Sequence, residues 1–249
     1  MDKNLLNYTI RLGDNCLVLG QRMSMWCSNG PTLEEDIALA NISLDLFGQA
    51  TAFYSFAEEI DNKNTADDIA FKRDANKFSN YLIVELDNTN FGFTIVRNFF
   101  FDCFQFLFYE RLKKSDCKNL SDIAYKSIKE VKYHLRHSTN WLIRLGDGTD
   151  QSNRKVQNAL NEIWKYTDEL FELDDLDQLM ISNGVGVDSS VFKSEWKNLV
   201  DKALVEAKLK IPQNTKMIFG GKKGKHTSSF SELISEMQYI PRKYPDAKW

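Results

Sequence analysis

Residues 33–60 read LEEDIALANISLDLFGQATAFYSFAEEI, and this run decides the fold class. Apolar residues recur at helical spacing, Glu34, Glu35 and Asp36 load the first turn with acid, and no proline interrupts. Just ahead of it, Thr32 and Glu35 form a T-x-x-E capping box after Pro31. A long helix is therefore expected, and one helix of this kind needs others to pack against.

They lie on both sides. Upstream, SNGP at 28–31 ends a first helix expected over about Leu5–Cys27. Downstream, 61–80 is a polar excursion with room for one short helix. A third long helix follows over about Phe93–Lys114, apolar nearly all round and so central. Further helices are expected over about Ser121–Leu145, Ser152–Phe171 and Ser189–Lys208, then a loop, then a last helix in FSELISEMQYIPRKYP (230–245). Of the 4 prolines, Pro212, Pro241 and Pro245 fall in the tail, which leaves the long helices uninterrupted. The expectation is one all-α domain over 1–249: a core bundle over about 5–145, with extra helices and a C-terminal extension over 150–249.

Composition narrows the function. A chain of 249 residues with 43% hydrophobic and 27% charged residues is long and apolar enough for a real core. A net charge of −3 gives no global basic field, so nucleic acid is not an expected partner. The N-terminus MDKNLLNYTIRLGDN holds no uninterrupted apolar run, and NFFFDCFQFLFYE (98–110) is too short to span a bilayer, so neither leader nor membrane association is expected. Cys16, Cys27, Cys103 and Cys117 make no C-x-x-C pair and read as reduced thiols of a cytoplasmic protein.

Chemistry concentrates in KEVKYHLRH (129–137), which holds two of the 3 histidines. On a wheel of about 100° per residue, Lys129, Lys132, Arg136 and Asn140 face water. Val131, Leu135, Ser138, Leu142 and Leu145 define the buried side; His134 joins them, with Glu130 and His137 at the flank. Asn41, Asp45 and Gln49 form a polar line on the second helix, and Asp102 with Gln105 interrupts the phenylalanines of the third. Asp45, Asp102, Glu130 and His134 are thus candidates for a buried polar network. Ferritin-like di-iron proteins need a glutamate from two helices and an E-x-x-H pair from two others. Here Tyr133 stands three residues after Glu130, Gly48 three after Asp45, and only one long helix carries histidine. The count argues for hydrogen bonds in place of metal, although a di-iron oxygenase built on Glu130 and His134 stays open. GGKKGKHT (220–227) does not fit a P-loop, and FKRDANKFSN (71–80) offers Lys72, Arg73, Lys77, Ser79 and Asn80 to an anion.

Several long motifs occur in order: IRLGDNCLVLGQRMSMWC (10–27), LEEDIALANISLDLFGQA (33–50), RDANKFSNYLIVE (73–85), KEVKYHLRHSTNWLIRLGDGTD (129–150), YTDELFE (166–172), GGKKGKHT and EMQYIPRKYP (236–245). Together they closely resemble the PaaC family of phenylacetyl-CoA oxygenase subunits across essentially the whole chain. The resemblance implies a ferritin-like fold and a cytoplasmic, structural, metal-free role in aerobic phenylacetate breakdown. The di-iron cofactor would belong to a PaaA-type catalytic oxygenase subunit, within an NADPH-dependent monooxygenase complex that forms the ring 1,2-epoxide of phenylacetyl-CoA. It also implies acyl-CoA contacts at Lys77, Phe78, Ser79 and Asn80 and at Gln178, Leu179 and Met180. A free-standing acyl-CoA-binding module remains an alternative. Apolar surface is expected at Leu17, Leu19, Met23, Met25 and Trp26, for pairing with the catalytic subunit or self-association when alone.

Overall fold

The computed structural model describes residues 2–245 and 247. Among them are ten α-helices and no strand: α1 (Lys3–Ser24), α2 (Leu33–Asp61), α3 (Ala66–Phe71), α4 (Leu82–Glu85), α5 (Phe91–Leu112), α6 (Lys118–Gly146), α7 (Asp150–Ile163), α8 (Asp175–Ser182), α9 (Lys193–Glu206) and α10 (Phe230–Lys243). The fold class is all-α, and the four longest helices, α1, α2, α5 and α6, suit a ferritin-like bundle with added C-terminal helices. The chain divides into two compact units, Met1–Asp87 with Gly220–Trp249, and Asn88–Phe219.

In the first unit α1 and α2 pack antiparallel, since Gly20 meets Phe47 while Gly13 meets Tyr54. A Cβ on Gly13 would lie 2.5 Å from the Tyr54 ring, so glycine is what lets the tyrosine cross the helix. Ser43 Oγ donates to Gly20 O at 2.8 Å in the same seam. Thr32 caps α2 by accepting from Glu35 N, as the motif predicts. At the end of α3, Gln238 of α10 donates to Ala70 O and Arg73 O, and Arg242 to Lys72 O and Arg73 O. Ala70 O lies in the last turn of α3, where carbonyls lack a partner within the helix, and α10 supplies one there and to the two carbonyls just beyond.

One expectation is corrected here. Leu17, Leu19 and Met23 are buried, Trp26 is half-buried, and only Met25 is exposed. α1 is enclosed on every side from Arg11 to Gly20, because its polar residues meet protein rather than water. The large exposed apolar side chains of this hairpin are instead Leu33, Ile37 and Leu44 of α2, besides Met25.

In the second unit α5 and α6 are antiparallel: Phe91 meets Trp141 edge-on at 5.1 Å, and Asp102 meets Ser138. α5 is buried nearly throughout, as its composition predicts. An aromatic cluster of Phe100, Phe104, Trp164, Phe171, Phe192 and Trp196 joins it to α9 and the turns after α7. The expected helix 152–171 stops at Ile163 for this reason. Thr167 Oγ1 donates back to Trp164 O at 2.9 Å, and two 3-10 turns swing Trp164 and Phe171 into the cluster. Likewise the helix expected from Ser189 opens as a 3-10 turn that seats Phe192, and α9 starts at Lys193.

Candidate functional site

Asp102 and His134 come together inside the second unit. Asp102 sits on α5 with 4% of its surface exposed, His134 on α6 with 1%. Ser138, one turn on from His134, donates its hydroxyl to Asp102 Oδ2 at 2.7 Å. Burial pushes the Asp102 carboxyl up to about 6, while nearby His134, the Ser138 hydroxyl, His137 and Arg97 hold it down. Arg97 is itself fully buried and donates to Asn88 Oδ1 and Asn98 Oδ1. Burial and the adjoining Asp102 drive the Cys103 thiol well up.

The other members of the expected network stand apart in kind. Glu130 is half-buried on α6, and Tyr133 lies between His134 and His137 with ring centroids 6.2 Å from each. Asp45 is half-buried on α2 of the first unit, where Asn41 is exposed and Gln49 buried near Cys16 Sγ at 3.7 Å. These residues do not fit a di-iron centre. Among the described residues no group of three or more His, Cys, Asp and Glu side chains is placed to hold a metal ion. The Asp102 carboxylate accepts from an alcohol, Ser138, and a serine hydroxyl is a poor replacement for an anionic or imidazole ligand.

The 77–80 segment belongs to the first unit and is held by α1. Asp14, fully buried, accepts from Tyr54 OH at 2.7 Å, from both terminal nitrogens of Arg73, and from Ser79 N at 2.9 Å. Its neighbour Asn15 accepts from Tyr81 N at 2.8 Å. The LGDN motif is thus a clamp that takes backbone N–H groups from an extended segment which could not satisfy them itself. Burial, then Asp14, raises the Tyr54 phenol well above its ordinary value. Within 77–80, Lys77 is exposed and Ser79 half-buried. Phe78 is buried beneath the Arg73 guanidinium at 4.1 Å, and Asn80 is buried, donating to Glu85 Oε2 at 2.9 Å. In the second unit Gln178 and Leu179 are exposed on α8 and Met180 is buried.

Sequence reading missed Asp14, Arg73, Glu85 and His226 as a set. The signals were present: an acid in the apolar run of α1, and another closing NYLIVE. Nothing local tells that their partners lie far along the chain.

Two comparisons bear on what the arrangement serves. The family model for "Phenylacetic acid catabolic protein" matches residues 1–249. The chain belongs to that family. It is also 46% identical over 245 residues to the C subunit of the 1,2-phenylacetyl-CoA epoxidase of Escherichia coli (strain K12), covering 98% of this chain and 99% of that protein. Membership of the phenylacetic acid catabolic family matches the resemblance seen in the motifs, and the near-complete coverage means that both units are shared with that relative. None of the helices, among the described residues, is long and apolar enough to cross a membrane.

Proposed function

We propose that this chain is a structural, non-catalytic subunit of a multicomponent phenylacetyl-CoA monooxygenase that forms the ring 1,2-epoxide, and that it stabilises a PaaA-type di-iron catalytic subunit. The observation that carries this is the Asp102 site. In a family whose catalytic members need a ferritin-like ligand set, α5 and α6 here contribute one carboxylate, one histidine and a serine. Full-length kinship with an epoxidase component supplies the setting. On this reading 1–249 acts as one ferritin-like domain, its iron-bearing partner and a reductase supply the redox chemistry, and the complex works in the cytoplasm, where CoA thioesters are made.

Asp45, Asp102, Glu130 and His134 are then remnants of ligand positions, kept in place by hydrogen bonding. The acyl-CoA contacts are assigned to Lys77 and Ser79, which have surface to offer. Phe78 and Asn80 would shape that backbone from inside. Gln178 and Leu179, with Met180 packed behind them, form the second contact.

The test is co-expression with the catalytic subunit, followed by gel filtration and metal analysis of the complex and of each chain alone. The expected result is a stable hetero-oligomer in which iron stays with the partner, with this chain iron-free and inactive alone. Stoichiometric iron in this chain after gel filtration, or a monomer that ignores the partner, overturns the reading.

A further inference from the structure

The third histidine, His226, sits in GGKKGKHT, the motif left without a role. Its Nδ1 lies 2.7 Å from Glu85 Oε2 and its Nε2 lies 3.2 Å from Phe78 O. Glu85 is fully buried, and the imidazole has 6% of its surface exposed. The ring stacks on Phe230 with centroids 3.9 Å apart, and Phe230 meets Phe78 edge-on. Thr227 N donates to Glu85 Oε1, and Asn80 Nδ2 to Glu85 Oε2. The 220–227 loop therefore lies directly on the 76–85 segment. Its glycines make that possible: a Cβ on Gly221 would strike Asn80 O, and Gly224, at φ +70°, passes Asn76 O as closely.

Both partners of the ring are acceptors. A carbonyl has no proton to give, and the carboxylate already receives two N–H groups. A neutral imidazole donates through one nitrogen only, so both contacts are hydrogen bonds only when the ring carries both protons. We propose that His226 is a proton-dependent latch: doubly protonated, it ties the 220–227 loop to Glu85 and Phe78, and loss of one proton releases the loop and loosens residues 76–82.

The charges around it set the direction. From α4, Glu85 favours the charged ring. From α1, Arg22 opposes it, donating to Glu85 O at 2.8 Å, but Arg22 is itself paired with Asp87 at 2.5 Å and feels Glu232 of α10. Lys222 of the loop rests over the Tyr81 ring at 5.3 Å, and beyond Phe78 the Arg73 charge is matched by Asp14. Because the closed form needs the charged ring, the latch holds at low pH and loosens as pH rises. The device is independent of the epoxidase reading and requires only the fold.

The experiment is hydrogen exchange on the intact chain, corrected for intrinsic rates, between about pH 5 and 8, the range in which histidine titrates. Imidazole NMR on the same samples reports ring protonation. With 3 histidines in the chain, His226→Gln assigns the signal by its absence. Protection of 76–82 and 222–228 should fall about tenfold as His226 loses its proton, the scale expected for one buried hydrogen bond undone. Over the same range α5 and α6 should behave alike in wild type and His226→Gln. In His226→Gln the two segments should be weakly protected at every pH, with helical circular dichroism intact. A pH step that survives in His226→Gln, or flat protection while the ring titrates, overturns the latch. If that variant does not fold, Glu85→Gln decides: a step moved to lower pH supports the latch, and an unmoved step rejects it.

Discussion

Each unit buries a carboxylate on a long helix, and the two are served in opposite ways. Asp14 of the first unit touches a guanidinium, a phenol and a backbone N–H. Asp102 of the second has one close donor, the Ser138 hydroxyl, and feels His134, His137 and Arg97 through their charge. A buried acid that meets a cation and enough donors becomes a clamp, and it can organise a loop distant in sequence. One without such contact remains costly to ionise. In the first unit the charge maintains the shape of 73–81; in the second it burdens the fold.

The sharpest way to break this contrast is to remove the clamp. Asp14→Ala leaves the Arg73 charge and the Tyr54 hydroxyl facing an uncompensated interior, which should cost roughly 3–5 kcal/mol in urea unfolding. Exchange protection of 77–81 should drop with it, since Ser79 N loses its acceptor. A loss below about 1 kcal/mol would show that the network is only decoration on a well-packed hairpin.

The second test uses pH. The Asp102 carboxyl is raised to about 6 in the folded chain, against about 3.9 when unfolded. Below about pH 4 both states are protonated and the site costs nothing. As pH rises from about 4 to about 6 the unfolded chain ionises while the folded one keeps its proton, so stability is lost on going up in pH. That difference corresponds to about 2–3 kcal/mol. Asp102→Asn removes the penalty, so between pH 4 and 7 the difference between variant and wild type should move by that amount in favour of the variant. An equal difference at both pH values would place Asp102 among the satisfied acids and erase the contrast.

What the sequence revealed follows the range of each interaction. The long helices were legible because period and capping are local: α2 runs Leu33–Asp61, as its pattern and Thr32 predict. α8 was passed over although Asp174 and Asp177 spell a capping box, because the helix is short and its apolar period barely repeats. α4, four residues inside an apolar run, carries no helical signature at all. The face of α1 was misjudged for a different reason. Asp14, Asn15 and Arg22 are polar residues of a helix, and only the folded chain shows that the 73–87 segment covers them. At the candidate site the same rule holds. An acid among phenylalanines betrays Asp102, and the helix wheel brings His134 toward it. The clamps of Asp14 and Glu85 depend on Arg73 and His226, which no local pattern connects to them.

The smallest effect probes an aromatic contact of the second unit. Its counterpart to the Asp14 network is aromatic: Trp196 packs against Phe100, Trp164 and Phe171, and its Nε1–H donates to Phe100 O at 3.0 Å. That carbonyl lies in mid-helix, so the indole adds a second bond to an acceptor with a spare lone pair. Removing the donor strands no buried group, and only the net worth of one neutral hydrogen bond is lost. Trp196→Phe should therefore cost about 1 kcal/mol, plus a modest packing loss from the smaller ring, measured by urea unfolding at constant pH. A cost near that of Asp14→Ala would mean that the indole hydrogen bond anchors α9 to α5 as strongly as charge anchors the loop to α1. The two units would then differ in chemistry but not in reliance on a single polar contact.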